Sequence, residues 1–222
     1  MDKISDDQIW DSYNTLLLSN DIDRIRKLLV RYELFRMTLE VPGDIVECGV
    51  FKGVGWMYWL KLLDLYAKGE HKRVIGFDTF GAFAADSLLD YERKSAKAFT
   101  DETDFKGVNT KDILSYAHRA GFNNAELVEG EISDTLPKYI KNNKGFRISL
   151  LHLDFDTYNG TKVALEHMYD LVTPGGLIVL DEYGKRGWGE SDAVDEFFSG
   201  KEIAIKSVQG SFQPTAYIEK PL

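Results

Sequence analysis

Carboxylates recur at one kind of place in this 222-residue sequence, the far end of an apolar run. Ile45-Val46 leads into Glu47, Val74–Phe77 into Asp78, Ile148–Leu153 into Asp154 and Asp156, and Leu177–Leu180 into Asp181 and Glu182. A single carboxylate there would read as a helix cap. Four run ends of this kind point to a site, because ligands of open α/β sheets bind beyond the carboxyl ends of the strands. The segment after the first run is Glu47-Cys48-Gly49-Val50-Phe51-Lys52-Gly53-Val54-Gly55. A dinucleotide fold spaces its glycines G-x-G-x-x-G so that backbone N–H groups reach a pyrophosphate. Here the spacing is G-x-x-x-G-x-G, with an acid two residues before the first glycine. That acid would repel a diphosphate and suits a cofactor with a cationic amino-acid end. Asp78 is placed to accept hydrogen bonds from ribose hydroxyls.

The elements that must position these groups are legible as alternating strands and helices. Strands are predicted at 44–48, 73–78, 125–129, 148–154 and 177–181, with helices at 53–67 (closed by Gly69), 109–120, 161–171 (capped by Thr161) and 191–198. Short links between them predict a parallel sheet covered on both faces. Two last strands, 203–208 and 215–219, share a link around Gly210 and should form an antiparallel edge hairpin. The expectation is an α/β, doubly wound, mostly parallel seven-stranded sheet. Before it, Ile22, Ile25, Leu28, Leu29, Tyr32, Phe35 and Leu39 make an apolar helical stripe with Asn20 or Asp21 as N-cap, so residues 1–42 read as a helical cap. Residues 79–108 are polar and irregular around Phe83, Tyr91, Phe99 and Phe105. A segment of that length is more often a functional lid than a connector.

Composition narrows the classes. With 27 Lys+Arg against 36 Asp+Glu the formal charge is −9, which argues against nucleic-acid binding. The lone cysteine, Cys48, excludes a disulfide framework and a cysteine-ligated zinc site. No apolar run is long enough to span a membrane, and Met-Asp-Lys-Ile-Ser-Asp-Asp has no signal-peptide core. The expectation is one cytoplasmic domain over residues 1–222.

Several motifs in order resemble a known family: Pro42-Gly43-Asp44-Ile45-Val46-Glu47-Cys48-Gly49-Val50, Phe77-Asp78-Thr79-Phe80, Asp134-Thr135-Leu136-Pro137, Leu153-Asp154-Phe155-Asp156-Thr157-Tyr158 and Pro174–Tyr183. Together they resemble the S-adenosylmethionine-dependent macrocin-type (TylF-like) O-methyltransferases over roughly residues 25 to 200. The resemblance implies a class I methyltransferase (Rossmann-like) fold, sugar hydroxyls as acceptors, S-adenosylmethionine and Mg²⁺ as cofactors, and a homo-oligomer. It implies that Glu47, Gly49, Val50 and Gly53 border the methionine end of the cofactor. Asp78 and Thr79 would hold the ribose, and Gly130, Glu131 and Ser133 of the stretch 129–133 would lie along the adenine. Asp154, Asp181 and Glu182 would occupy the metal positions, Asp154 also bordering the cofactor, and Asp156 the general-base position. Three places depart from the family: Asp181-Glu182-Tyr183 stands for Asp-Asp-Tyr, Asn159-Gly160-Thr161 for Glu-Ser-Thr, and nothing matches after Gly200.

The implied chemistry suits these residue types. A sugar hydroxyl is a poor nucleophile until a cation stabilises the developing alkoxide and a carboxylate takes its proton. Adjacent parallel strands lie about 4.8 Å apart, so carboxylates on the fourth and fifth can share a cation, and all-oxygen donors suit Mg²⁺. Asp156, two residues past Asp154, would point to the same side of an extended segment. His152 reads as a buried structural histidine, with a site role as the alternative; His71, His118 and His167 read as surface residues. Cys48 reads as a core residue, as do Trp56 and Trp59. Arg186 and Trp188, in the glycine-rich stretch 184–189, would bind a sugar or an attached phosphate if that loop is more than a turn. Two other readings stay open: a metal-dependent O-methyltransferase on a catechol-like or small-acid acceptor, and a cofactor-binding protein without catalysis. Calorimetric titration should give binding of S-adenosylmethionine or its demethylated product. Tight NAD binding with no response to either would contradict the cofactor reading.

Overall fold

The computed structural model describes residues 4–67, 71–103 and 109–222. Five parallel strands, β1 (Asp44–Cys48), β2 (Val74–Asp78), β3 (Ala125–Glu129), β4 (Ile148–Leu153) and β5 (Val172–Leu180), are joined by β6 (Ile205–Lys206) and β7 (Ala216–Glu219). Their order is β3-β2-β1-β4-β5-β7-β6, with β7 antiparallel to both of its neighbours. The doubly wound sheet with a reversed edge hairpin is therefore as expected. The strand order reverses between β1 and β4, the place where such sheets bind ligands.

Helices α1 (Asp6–Leu18), α2 (Ile22–Met37), α3 (Val54–Tyr66), α4 (Arg93–Thr103), α5 (Thr110–Arg119), α6 (Ile132–Asn142), α7 (Tyr158–Met168) and α8 (Glu190–Phe198) complete the chain. The strands feed two cores by simple alternation. Val46, Cys48, Leu151, Leu153, Ile178 and Leu180 face α6, α7 and α8. Ile45, Leu150, Leu177 and Val179 face α2, α3 and α5, where Trp56 and Trp59 are 0% exposed. Cys48 and the two tryptophans are core residues, as read from the sequence, and His71, His118 and His167 are exposed. No helix among the described residues is long and apolar enough to cross a membrane.

Several boundaries differ from the expectation, each for a physical reason. Helix α7 starts at Tyr158 after Thr157, not at Thr161, because the buried carboxylate of Glu92 accepts the Tyr158 N–H at 2.7 Å. That cap comes from a segment 66 residues away, which no local reading finds. Strand β5 begins at Val172 and runs through Pro174-Gly175-Gly176, which was expected to be a turn; its pairing with β4 shifts register there instead. Helix α6 was not expected; it holds the Asp134-Thr135-Leu136-Pro137 motif, with Pro137 inside it. Part of the segment expected to be a lid is helical, α4, and Glu92 also accepts the Leu89 N–H at 2.7 Å. Gly69 and Phe105, given roles from the sequence, lie outside the described residues.

The α2 stripe is rotated from the expected one. Asp21 is the N-cap, accepting the Arg24 N–H at 3.1 Å, but Ile22 and Leu29 are exposed and the buried face is Val30, Arg31, Leu34 and Phe35. An arginine at 6% exposure in the middle of an apolar face needs a partner.

Candidate active site

Alternation that sends Ile45, Leu150 and Val179 toward α2 and α3 sends Glu47, His152 and Asp181 the same way, since each lies two residues further along its strand. Glu47 pairs in register with His152. The result is a buried polar row. Glu47 Oε1 lies 3.2 Å from His152 Nδ1, and His152 Nε2 lies 3.2 Å from Asp181 Oδ1. Arg31 completes it from α2, with Nη2 at 3.4 Å from Asp154 Oδ2, 3.7 Å from Asp181 Oδ1 and 4.0 Å from Glu47 Oε1. The tight turn before α3 is shaped around this row. A Cβ on Gly55 would lie 2.2 Å from Glu47 Oε1 and 2.8 Å from Arg31 Nη1, and one on Gly49 would lie 1.9 Å from the Asp154 carbonyl oxygen. The glycine pattern seen in the sequence is thus a requirement for space as well as for turning.

His152 faces a carboxylate on each side, so both ring nitrogens donate and the ring carries charge. Burial works against that charge, but the hydrogen bonds to Asp181 and Glu47 outweigh it and raise the pKa from 6.5 to about 9. An imidazolium has no lone pair for a metal and cannot act as a base. His152 is buried and bonded through both ring nitrogens, the arrangement that its structural reading expects. Against the push of burial, the hydrogen bond from His152 and its charge hold the Asp181 carboxyl well below the usual carboxylate range. Asp154 goes the other way: burial and the neighbouring Asp181 raise it to about 7.

Asp156 reaches the cluster by a route that differs from the extended segment expected. Strand β4 ends at Leu153, and Asp156 sits at φ 62, in the left-handed region that aspartate tolerates better than most residues. Its carbonyl accepts the N–H groups of Gly189 and Glu190 at 3.0 and 3.3 Å, so the loop after β5 holds it in place. Burial, then Asp154, Glu182 and Asp181, push its carboxyl well above the ordinary value. Glu182 is held by Lys185, whose Nζ is 2.8 Å from Oε1, and by the Gln213 side-chain amide. Glu190, 0% exposed, accepts the Glu182 N–H at 2.9 Å, and Lys27 Nζ lies 3.5 Å from Asp181 Oδ2.

The expected metal ligands are already engaged by cations of the chain: Asp154 by Arg31, Asp181 by Arg31 and Lys27, and Glu182 by Lys185. Among the described residues, the donors that converge within 4.8 Å are Glu47, His152 and Asp154, not Asp154, Asp181 and Glu182. Asp154, Asp156, Glu182 and Glu190 all lie above their ordinary values, because burial and neighbouring acids outweigh the basic groups beside them, and a bound divalent cation would relieve that imbalance. Lys27 and Lys185 are 30% and 46% exposed, long flexible side chains that can withdraw to solvent.

On the other side of β1, Asp78 Oδ2 accepts the Val50 and Phe51 N–H groups at 2.7 Å each, and Oδ1 accepts the Phe80 N–H at 2.7 Å. Asp78 thus shapes the turn and keeps acceptor capacity on Oδ1 for a hydroxyl. Thr79 follows it, with its hydroxyl donating to the Gly81 carbonyl. Glu129 pairs in register with Asp78, Gly130 N–H donates to the Asp78 carbonyl at 2.9 Å, and Glu131 and Ser133 open α6 beside it. Gly53 is the left-handed N-cap of α3. The expected cofactor residues accordingly line adjoining strand ends. Sequence reasoning missed Lys27, Arg31, Glu92 and Glu190; the available signal for Arg31 was a lone basic residue between Val30 and Leu34.

The sequence profile of the macrocin-O-methyltransferase (TylF) family matches residues 20–209. A Streptomyces olivaceus protein, 8-demethyl-8-(2,3-dimethoxy-alpha-L-rhamnosyl)-tetracenomycin-C 4'-O-methyltransferase, is 27% identical over 150 residues, covering 64% of this chain and 54% of that one. Mycinamicin III 3''-O-methyltransferase of Micromonospora griseorubida is 26% identical over 149 residues, covering 64% and 56%. The matched region thus spans little more than half the length of these relatives. Among solved structures, that of CalS11, a calicheamicin methyltransferase, superposes with a TM-score of 0.80 at 27% identity, over 97% of this chain and 86% of that one.

Replacing Arg31 by Met keeps the apolar stem and strands Glu47, Asp154 and Asp181 without their shared cation. Urea denaturation should read a loss of about 3–5 kcal/mol, the cost of breaking a buried ionic network from one side. Arg24→Met, at an exposed pair, should leave the midpoint unchanged. The raised values set a pH trend as well. A group held above its ordinary value stabilises the fold at low pH and ceases to do so as pH passes the folded value. In EDTA, the thermal midpoint should therefore fall through pH 7 with Asp154 and through pH 9 with His152. A flat profile would contradict the charged imidazole.

Proposed function

The chain belongs to the macrocin-O-methyltransferase (TylF) family, and we propose that it transfers the methyl group of S-adenosylmethionine to a hydroxyl of a sugar-containing small molecule, with Mg²⁺ required. The observation that carries this reading is Asp156. It is fixed in a left-handed turn by Gly189 and Glu190, faces Asp154, Asp181 and Glu182, and is pushed toward a proton-accepting range. A general base works best when its pKa approaches the working pH. The names of the relatives support sugar-bearing acceptors: one refers to a rhamnosyl tetracenomycin, the other to mycinamicin III.

In this reading the turn from Gly49 to Gly53, with Val50 between them, cradles the amino-acid end of the cofactor. The buried Glu47 supplies the negative charge beneath its ammonium group. Asp78 Oδ1 accepts from a ribose hydroxyl while Oδ2 keeps the turn closed, with Thr79 beside it. Gly130, Glu131 and Ser133 border the adenine. A sulfonium methyl is already electrophilic, so the protein's work lies in orienting the acceptor and removing its proton. Asp154, Asp181 and Glu182 would hold Mg²⁺ once Lys27 and Lys185 withdraw; bound there, the ion supplies Lewis-acid polarisation of the hydroxyl. Asp156 takes the hydroxyl proton. Arg31 and His152 hold Glu47, Asp154 and Asp181 in place, and His152 keeps Asp181 ionised. Homo-oligomer formation is supported by the apolar groups left exposed on α1 and α2, among them Trp10, Tyr13, Leu17, Leu18, Ile22 and Leu29.

Asp156→Asn keeps the size of the side chain and removes the proton acceptor. It should lower kcat by roughly 10²–10⁴-fold while calorimetry shows unchanged affinity for S-adenosylhomocysteine. Added Mg²⁺ should not restore it, whereas Asp154→Asn should be partly rescued by Mg²⁺. An Asp156→Asn enzyme rescued by the metal would make that residue a ligand instead.

A further inference from the structure

Basic residues gather at the end of the sheet opposite the carboxylates. His71, Lys72 and Arg73 precede β2, and Lys144 and Arg147 precede β4. The far ends of β1, β2 and β4 carry Glu47, Asp78 and Asp154, so the two ends of one sheet have opposite character. Between the starts of these strands lies an open cavity of about 380 Å³, lined by Asp44, His71, Arg73, Asn143, Lys144 and Arg147. Asp44 and Cys48 are the two ends of β1, which puts the cavity about 13 Å from the proposed cofactor turn.

Most of these cations lack the carboxylate partners found at the catalytic end. Among the described lining residues the one acid is Asp44, and Arg73 engages it fully: Oδ1 accepts the Arg73 N–H at 2.8 Å, and Oδ2 lies 3.0 Å from Nη2. Arg73 Nη1 turns to Glu126 at 3.3 Å. Arg147 Nη1 donates to the Phe146 carbonyl at 2.7 Å, which orients the guanidinium without neutralising it. Neither His71 nor Lys144 has a hydrogen-bond or ion-pair partner among the described residues. The Arg147 charge also reaches Lys220, whose pKa is lowered by burial, against Asp170, and then by Arg147. Exposed basic residues are ordinarily a solvated face, but these converge on a concavity. The chain as a whole carries −9, so composition alone does not supply such a pocket.

Phosphate oxygens are recognised by the paired N–H donors of a guanidinium and by the point charge of an ammonium group. A cavity of this size falls in the range that holds small molecules and is larger than a bare phosphate ion needs. Asn143 donates Nδ2 to the Tyr139 carbonyl at 2.9 Å and keeps Oδ1 to accept from a hydroxyl. The buried Phe146 adds an apolar patch to the lining. We propose that this cavity is a second ligand site, for a phosphate monoester of a small hydroxylated molecule, with the phosphate on Arg147, Lys144 and His71 and the hydroxyls toward Asn143. The site stands independently of the methyl-transfer reading.

Calorimetry on the whole protein in phosphate-free buffer, with and without saturating S-adenosylhomocysteine, tests this with glycerol 3-phosphate, inorganic phosphate and succinate as probes. Glycerol 3-phosphate should bind one to one, at least as tightly as phosphate and roughly tenfold more tightly than succinate. S-adenosylhomocysteine should leave its affinity unchanged. Binding should persist at about 0.15 M salt, where the Debye length is about 8 Å and a diffuse attraction is largely screened. Arg147→Met and Lys144→Met should each weaken it roughly tenfold, with Arg147→Lys, which keeps the charge and loses the fork, in between. Arg24→Met removes an exposed cation on α2 and should change nothing. No saturable binding of glycerol 3-phosphate, its displacement by S-adenosylhomocysteine, or equal weakening by Arg24→Met would overturn the site. Tighter binding of bare phosphate or succinate than of the ester would overturn the class of ligand assigned to it.

Discussion

A buried cluster of like charges must be compensated before this sheet can close, and most of the unusual sequence choices follow from that. Glu47, Asp154 and Asp181 end neighbouring strands on or beside the face that α2 and α3 cover. Left alone, three carboxylates in that position would take up protons or keep the helices away. Arg31 and His152 solve the problem from opposite directions, one from the helix and one from the middle strand, with both imidazole nitrogens committed to carboxylates. Gly55 has no side chain because the Glu47–Arg31 contact occupies that space. The N-terminal helix α2 is therefore part of the site as well as a cover over the apolar core.

The same constraint separates two roles within one set of acids. Asp181 is kept ionised by His152, while Asp154, Asp156 and Glu190 are raised by burial and by one another. Carboxylates whose environments push their pKa values apart are the usual basis for assigning acid, base and ligand duties. Here the firmly charged group is furthest inside and the group poised to take a proton sits on the left-handed turn at the rim. Acids raised by one another would gain from a divalent cation, with Lys27 and Lys185 as the side chains most able to give way.

Much of this was legible in the sequence because strands obey local rules. The acidic run ends, the glycine spacing and the strand–helix alternation fixed the sheet, its reversed hairpin and the carboxyl-end location of Glu47, Asp78, Asp154, Asp156, Asp181 and Glu182. What stayed hidden depends on contacts between distant segments. Thr161 was the better local cap for α7, yet Glu92 reaches across from the segment before α4 and starts the helix at Tyr158. The stripe from Ile22 to Leu39 is good periodicity, but Arg31 had to turn inward to meet the carboxylates, and that rotated Ile22 and Leu29 out to solvent. Strand alternation alone could have shown that Glu47, His152 and Asp181 share a face, and hence that a base was needed opposite them.

The central claim is that one strand-end cluster serves cofactor, cation and proton transfer together. A crystal structure of the protein with S-adenosylhomocysteine and Mg²⁺ tests it most directly. The account predicts the homocysteine end in the Gly49–Gly53 turn above Glu47, the ribose on Asp78, and the ion on Asp154, Asp181 and Glu182, with Lys27 and Lys185 withdrawn and Arg31 unmoved. Lys27 and Lys185 still seated on those carboxylates at saturating Mg²⁺, or the nucleoside bound away from Asp78, would contradict it.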